Sequence, residues 1–269
     1  RLVGTVSTSQ SLSTKRGERM QTPWPLMRNN ITREDLDILI DFLRGDPILT
    51  QSSNVAAFEK EWSEWLGVKY SVFVNSGSSA NILSLAALKH LHGTGAVVVS
   101  PFGWVSDITA TIVNGFTPLF ADINPRSLSM DTDRILECLT HDTKAVLLVH
   151  AQGFNGLTDK LLLELSRRKI PLIEDVCESH GATHKGRKLG SFGLISNFSF
   201  YFAHHMSTIE GGMVCTNDEE VYQTVRMLRS HGMTREATSE ALKNSYKESN
   251  PDLNPEFIFA YPGFNMRNT

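Results

Sequence analysis

The architecture of this chain is decided by residues 145–175, which read AVLLVHAQGFNGLTDKLLLELSRRKIPLIED. Two short, mostly apolar runs, Ala145–Val149 and Pro171–Glu174, flank a helical pattern over Thr158–Arg168. Apolar runs of this length are typical of strands that are buried on both faces, as in a parallel sheet covered by helices. The stretch therefore predicts two parallel strands joined by a helix.

The same alternation extends in both directions along the chain. Further short strands are predicted at Tyr70–Val74, Ala96–Val99, Thr117–Phe120, Asn197–Tyr201 and Met213–Thr216. Those at Ala96–Val99 and Thr117–Phe120 are predicted to be buried. Helices are predicted over Thr32–Arg44, Phe58–Leu66, Ser106–Asn114, Thr132–Leu139 and from the NSGSSAN stretch to about Leu91. The pattern predicts an α/β fold, a three-layer sandwich with a mostly parallel sheet. The polar segment Glu236–Pro255 is predicted to be a loop.

Composition limits the class of protein. The chain has 269 residues, of which 41% are hydrophobic and 20% are charged, so it can bury a core. Its net charge of −3 does not favour nucleic acid or a membrane surface as a partner, and the apolar runs fall far short of the ~20 residues of a spanning helix. Three cysteines without CxxC spacing argue against a disulfide framework and against a local cysteine cluster for metal, so a reducing, cytoplasmic location is expected.

The chain is expected to consist of a tail and one domain. Residues 1–22 are expected to be a disordered or non-native tail, because the first residues are rich in Ser and Thr and lack the apolar segment of a secretion signal. Residues 23–269 are expected to form the domain, since no internal repeat or low-complexity linker divides them.

Four groups of residues lie where predicted strands end, which is the edge at which open parallel sheets bind ligands. In the first, Gly77 and Ser78 open a helix after a strand, so they suit either a phosphate group or an ordinary serine cap. In the second, Glu174 and Asp175 end an apolar strand and Glu178 follows three residues after Asp175. A carboxylate there needs a partner, which is either a protonated ring nitrogen of a ligand or a structural ion pair or helix cap.

The other two groups contain aromatic rings and imidazoles. Trp104 follows the strand Ala96–Val99 and suits either a ligand contact or the core. The run from Ser199 ends in two adjacent histidines, His204 and His205, and a glycine pair follows. No H-x-x-x-H or HExxH spacing supports a metal ion, so acid–base chemistry is favoured for these histidines.

Several motifs follow one another in a fixed order: GDPILTQSSNVAAFEKEWSEWLGVKY, VNSGSSAN, PFGWVS, IEDVCESHGA, SFYFAHHMSTIEGG and PGFNMRNT. In this combination the chain resembles, roughly from Trp24 to Thr269, the DegT-like nucleotide-sugar aminotransferases. These are enzymes of fold type I that depend on pyridoxal 5′-phosphate. The resemblance implies that residues 23–269 are the large cofactor-binding domain. It also implies that the smaller C-terminal domain of the family is missing, because Thr269 stands where relatives enter it.

The resemblance implies a role for each group. It assigns the cofactor phosphate to three residues, Gly77, Ser78 and Ser199. Trp104 would stack on the pyridine ring, and Asp175 would keep the ring nitrogen protonated. Glu178 stands where the family has a side chain near the ring oxygen of the cofactor.

One residue departs from the aminotransferase pattern. Five residues after the serine equivalent to Ser199, those enzymes have the lysine that binds the cofactor covalently as a Schiff base, and here that position is His204. An imidazole forms no stable Schiff base, so the cofactor is expected to be held without a covalent bond, as pyridoxamine phosphate, with His204 as the base. The exchange marks the sugar 3-dehydratase branch, and the lack of a cysteine group resembles its type without an iron–sulfur cluster. His205 remains the alternative base.

The implied reaction removes the C3 hydroxyl group of a 4-keto-6-deoxy nucleotide sugar and releases ammonia, and glutamate regenerates the cofactor. The family's active sites lie at a homodimer interface, which the segment of Asn265 and Arg267 is expected to reach. Two alternatives stay open. The chain is a cofactor-binding pseudoenzyme, or it is an aminotransferase that recruits another lysine, such as Lys185 or Lys188.

Overall fold

A computed structural model describes residues 27 and 29–269, so the predicted tail, residues 1–22, lies outside the described residues. The strands are β1 Tyr70–Val74, β2 Ala96–Val99, β3 Thr117–Phe120, β4 Thr143–Val149, β5 Leu172–Asp175, β6 Thr183–His184, β7 Arg187–Lys188, β8 Ile195–Ser199 and β9 Gly212–Thr216. The α-helices are α1 Arg33–Arg44, α2 Ser53–Leu66, α3 Gly77–His92, α4 Ser106–Val113, α5 Thr132–Cys138, α6 Asp159–Arg168, α7 Glu219–Arg229 and α8 Glu240–Ser249. Among the described helices, none has the length and apolar character needed to cross a bilayer.

Seven strands form one sheet in the order β1-β9-β8-β5-β4-β2-β3. The pairs β2–β3, β2–β4, β4–β5 and β5–β8 are parallel, whereas β9 is antiparallel to both of its neighbours. The predicted strand–helix–strand unit is confirmed as β4, α6 and β5, with Val149 opposite Asp175 in the register. Because β1, β8, β5, β4, β2 and β3 run in one direction, the turns that follow them meet at one edge of the sheet.

Helices cover both faces of this sheet. Alternate residues of one strand belong to two different apolar clusters, as Val97 and Val99 face one cluster and Val98 faces the other. The first cluster includes residues of α3, α4 and α7, and the second includes residues of α2, α5 and α6. The predicted three-layer α/β sandwich with a mostly parallel sheet is therefore confirmed.

Two local predictions were wrong. Thr117–Phe120 is a strand but is not buried, because β3 lies at the edge of the sheet, where only one side is paired. The segment Glu236–Pro255 contains the helix α8 rather than only a loop. Because α8 buries none of its residues, its sequence has no apolar periodicity that would predict a helix. The helix is capped by Ser239, which accepts a hydrogen bond from the N–H of Leu242.

The buried carboxylate of Glu174 connects the turn after β4 to the segment that precedes β8. Glu174 and His150 are both inaccessible to solvent, and Oε2 of Glu174 lies 3.2 Å from Nε2 of His150. Because Nδ1 of His150 accepts the N–H of Gly156, Nε2 carries the hydrogen and donates to Glu174. The carboxylate also accepts three backbone N–H groups of the segment 190–193. Burial raises the pKa of Glu174, but these hydrogen bonds outweigh burial and leave the pKa below its ordinary value of 4.5.

Glu174→Gln is expected to lower the free energy of unfolding by about 1–3 kcal/mol near neutral pH, because the amide nitrogen cannot accept a hydrogen bond and leaves a buried N–H donor without an acceptor. Since the folded pKa is lowered, this contribution is complete above pH 4.5 and disappears as the pH falls through the folded value. Denaturant titrations at successive pH values measure both effects. Glu137→Gln, at an exposed carboxylate of α5, is the control that should change little. Equal stability of Glu174→Gln and the unaltered chain at pH 7 would contradict the prediction.

Candidate active site

A cavity of about 790 Å³ lies at the edge of the sheet where the parallel strands end. All seven residues predicted for the site line it: Gly77, Ser78, Trp104, Asp175, Glu178, Ser199 and His204. They lie at or just after the carboxyl ends of β1, β2, β5 and β8, so the fold brings the four predicted groups together. Among the described residues, no three His, Cys, Asp or Glu side chains are grouped so as to hold a metal ion.

The turn from β1 into α3 is suited to bind an anion. Ser76 caps the helix by accepting a hydrogen bond from the N–H of Ser79 at 3.0 Å, which leaves Gly77 and Ser78 in the first turn, where N–H groups have no acceptor within the helix. A Cβ atom on Gly77 would lie 2.7 Å from Cβ of Ser199, so only glycine lets Ser199 approach so closely. The free N–H groups and the helix dipole suit a phosphate, and so do the hydroxyl groups of Ser78 and Ser199, which line the cavity.

Asp175 presents a fixed carboxylate to the cavity. Only 5% of the residue is exposed, and its Oδ1 accepts the N–H of Cys177 at 2.9 Å while its Oδ2 accepts Nδ2 of Asn81 at 3.1 Å. A carboxylate at this strand end was expected either to form a structural pair or to face a ligand. Glu174 and Asp175 take one role each, because successive residues of a strand point to opposite faces of the sheet. Glu174 forms the structural pair with His150, and Asp175 faces the cavity.

Trp104 presents a flat aromatic surface at the mouth of the site. It lies in the turn between β2 and α4, lines the cavity and is 71% exposed. The alternative that Trp104 packs in the core is therefore wrong. An indole in this position can stack against a planar ring in the cavity.

The turn after β8 carries His204 and His205, and both line the cavity. His204 is half-buried and His205 is exposed. Burial lowers the pKa of His204 below its ordinary value of 6.5, an effect that the charges of Glu178 and Asp175 oppose. Its imidazole is thus neutral at pH 7 and can accept a proton. His205 remains an alternative, although its ring stacks on that of His180 with 5.3 Å between the centroids.

No lysine is among the described residues that line the cavity. Lys185 and Lys188 belong to the β6–β7 hairpin. Lys185 pairs with Asp159, and Nζ of Lys188 lies 5.0 Å from the ring centre of Trp65. Neither lysine lines the cavity, so the geometry gives no support to a recruited lysine.

Asp107 also lines the cavity and is 2% exposed, although no sequence pattern indicated it as a site residue. Burial and then the nearby charge of Asp175 raise the pKa of Asp107 well above 3.8. In the sequence Asp107 is an ordinary acidic residue in the first turn of a helix, so no local pattern distinguishes it from a surface carboxylate.

Two further contacts complete the surroundings of the site. Oε2 of Glu178 accepts the N–H of Gln152 at 2.9 Å, which ties the loop after β5 to the turn after β4. Asn265 and Arg267 do not line the cavity, and Nε of Arg267 donates to Oδ1 of Asn265 at 3.0 Å. Whether this segment reaches a neighbouring subunit stays a prediction.

Comparison with known proteins identifies relatives of two reaction types. The GDP-4-keto-6-deoxy-D-mannose 3-dehydratase of Yersinia pseudotuberculosis is 35% identical over 250 residues, which are 91% of this chain and 63% of that protein. The GDP-perosamine synthase of Caulobacter vibrioides is 32% identical over 215 residues, which are 80% of this chain and 53% of that protein. This chain therefore spans less than two thirds of the length of these relatives.

A solved structure and a family profile agree with these relatives. The crystal structure of a GDP-4-keto-6-deoxymannose-3-dehydratase with a trapped PLP–glutamate geminal diamine matches with a TM-score of 0.80 at 30% identity, over 91% of this chain and 64% of that chain. The profile of the DegT/DnrJ/EryC1/StrS aminotransferase family matches residues 29–269. This chain belongs to the DegT/DnrJ/EryC1/StrS aminotransferase family.

Proposed function

We propose that this chain is the cofactor-binding domain of a nucleotide-sugar 3-dehydratase. The enzyme would use pyridoxamine 5′-phosphate to remove the C3 hydroxyl group of a 4-keto-6-deoxy nucleotide sugar, and glutamate would regenerate the amine. The observation that carries the proposal is His204 at the wall of a cavity whose described lining contains no lysine. Similarity to a 3-dehydratase over 91% of the chain supports the same reaction.

The charges around the cavity fit this cofactor. The helix N-terminus with Gly77 and Ser78 favours the phosphate dianion. The carboxylate of Asp175 favours a protonated ring nitrogen, and Trp104 offers a flat surface for the ring. Because a Cβ on Gly77 would collide with Ser199, the glycine fits a phosphate subsite built from both residues.

Each residue has a defined task in the proposed reaction. When bound, pyridoxamine phosphate supplies the amino group that condenses with the C4 ketone and a protonated ring that accepts electrons as the C3 hydroxyl leaves. Asp175 would keep the ring nitrogen protonated, and Glu178 would face the ring oxygen. His204, neutral at pH 7, would act as the base that accepts a proton in this site. We also expect the family's homodimer, with one site completed by its neighbour.

The test is turnover by the purified full-length protein with pyridoxamine phosphate, glutamate and a panel of 4-keto-6-deoxy nucleotide sugars. The proposal expects a 3-deoxy ketone and ammonia, with consumption of glutamate, measured by mass spectrometry and an ammonia assay. A stable amino sugar would identify an aminotransferase instead, the candidate that similarity to a GDP-perosamine synthase favours. Cofactor binding without turnover of any substrate would identify a pseudoenzyme.

A further inference from the structure

A second buried carboxyl group stands beside Asp175 at the cavity. Asp107 in the first turn of α4 is 2% exposed, and Asp175 at the end of β5 is 5% exposed. One nitrogen, Nδ2 of Asn81, donates to both side chains, at 2.5 Å to Oδ1 of Asp107 and at 3.1 Å to Oδ2 of Asp175. The two carboxyl groups are thus gathered around one uncharged donor, and the described lining of the cavity contains no lysine or arginine to neutralise them.

The orientation of that donor is fixed by a chain of hydrogen bonds. Oδ1 of Asn81 accepts Nδ2 of Asn197 at 2.8 Å, and Oδ1 of Asn197 accepts the hydroxyl group of Ser84 at 2.6 Å. All three side chains are buried. The amide of Asn81 therefore cannot turn its oxygen toward the carboxyl groups without losing the bond to Asn197, and its nitrogen faces them permanently.

Two adjacent buried carboxyl groups cannot both ionise at low cost, so one of them keeps a proton. The backbone N–H of Cys177 donates to Asp175 but not to Asp107, which makes Asp175 the better site for the negative charge. One oxygen of each side chain lies within hydrogen-bond distance of the same nitrogen, Nδ2 of Asn81, so the two carboxyl groups are neighbours. Two other titratable residues lie near Asp107, namely Cys177 and Glu178 in the loop that follows β5. From α3 and α4 the neighbours are uncharged, namely Asn81 and Ser106.

We propose that Asp107 is a positioning residue whose carboxyl group carries a proton and donates a hydrogen bond to Asp175. This bond holds the carboxylate of Asp175 in one orientation at the cavity wall. The role rests on the proposed function, in which Asp175 binds the ring nitrogen of the cofactor. Asp107 itself then acts through Asp175 and not on the substrate.

The first test is stability against pH in the protein without added cofactor. Asp107→Asn keeps a donor toward Asp175 but does not titrate, whereas Asp107→Leu removes the donor. Since the folded pKa of Asp107 is raised, its favourable contribution is complete below 3.8 and is lost as the pH rises through the folded value. The melting temperature of Asp107→Asn minus that of the unaltered protein should therefore increase as the pH rises. Thr109→Asn and Thr109→Leu, at an exposed position of α4, should keep the unaltered pH profile.

The second test is the affinity for pyridoxamine phosphate, measured by quenching of protein fluorescence. Asp107→Asn should bind within about threefold of the unaltered protein, and Asp107→Leu should bind about tenfold more weakly, the cost of one lost hydrogen bond to a charged group. Equal losses in Asn and Leu variants, or an unaltered pH profile of stability in Asp107→Asn, would overturn the proposal. Failure of the unaltered protein to bind pyridoxamine phosphate would instead contradict the proposed function, and the stability test would still decide the state of Asp107.

Discussion

His204→Asn is expected to lower the rate of dehydration about 10²- to 10⁴-fold while cofactor binding stays intact, because a positioned general base contributes about that much. The amide has nearly the shape of the imidazole but cannot take a proton at neutral pH. Single-turnover kinetics with a 4-keto-6-deoxy nucleotide sugar measure the loss. In the unaltered protein the acid limb of the pH–rate profile should lie below pH 6.5, since burial lowers the pKa of His204.

His204→Lys gives a second, spectroscopic readout at the same position. The lysine amine should form a covalent carbon–nitrogen bond with pyridoxal phosphate, visible as a new absorbance band that borohydride abolishes. His205→Asn and His205→Lys are the matched controls at the neighbouring residue of the same cavity. If the His205 variants lose turnover or gain the band while the His204 variants do not, the two histidines exchange roles. A band in neither lysine variant would contradict the placement of the cofactor beside this turn.

The second large effect is expected from Asp175→Asn, which should lower turnover about 10²- to 10³-fold, the usual consequence of removing one fixed electrostatic group. An amide keeps the volume and can still accept the N–H of Cys177, but it cannot hold the ring nitrogen of the cofactor in its protonated form. Turnover and the absorbance of the bound cofactor measure the change. Asp142→Asn, at an exposed aspartate, should leave both unchanged. Turnover of Asp175→Asn at the unaltered rate would disprove the role given to Asp175.

Several features of the site could be predicted because they depend on neighbours in sequence. Gly77 and Ser78 follow a strand and begin a helix, and Trp104 and His204 lie in turns after strands, so the period of the apolar residues places them at the carboxyl edge. The close approach of Gly77 and Ser199 was implied by the family resemblance but could not be predicted from the apolar pattern, because β9 joins the sheet between their strands in the antiparallel sense. The spacing of apolar residues in a strand does not show whether the strand is parallel or antiparallel to its neighbours.

The amino-acid sequence was enough to predict the alternation of strands and helices and the three-layer sandwich, and the family resemblance adds the expectation that His204 stands in place of a lysine. These features are local or are carried by motifs read in order along the chain. The pairing of Glu174 with His150, with Asp175 facing the cavity, is visible only in the folded chain. The grouping of Asp107 and Asp175 around Asn81 is likewise visible only there. The physical reason is that apolar periodicity reports which residues are buried, whereas the partner of a buried polar group is set by strand order and helix packing between distant segments.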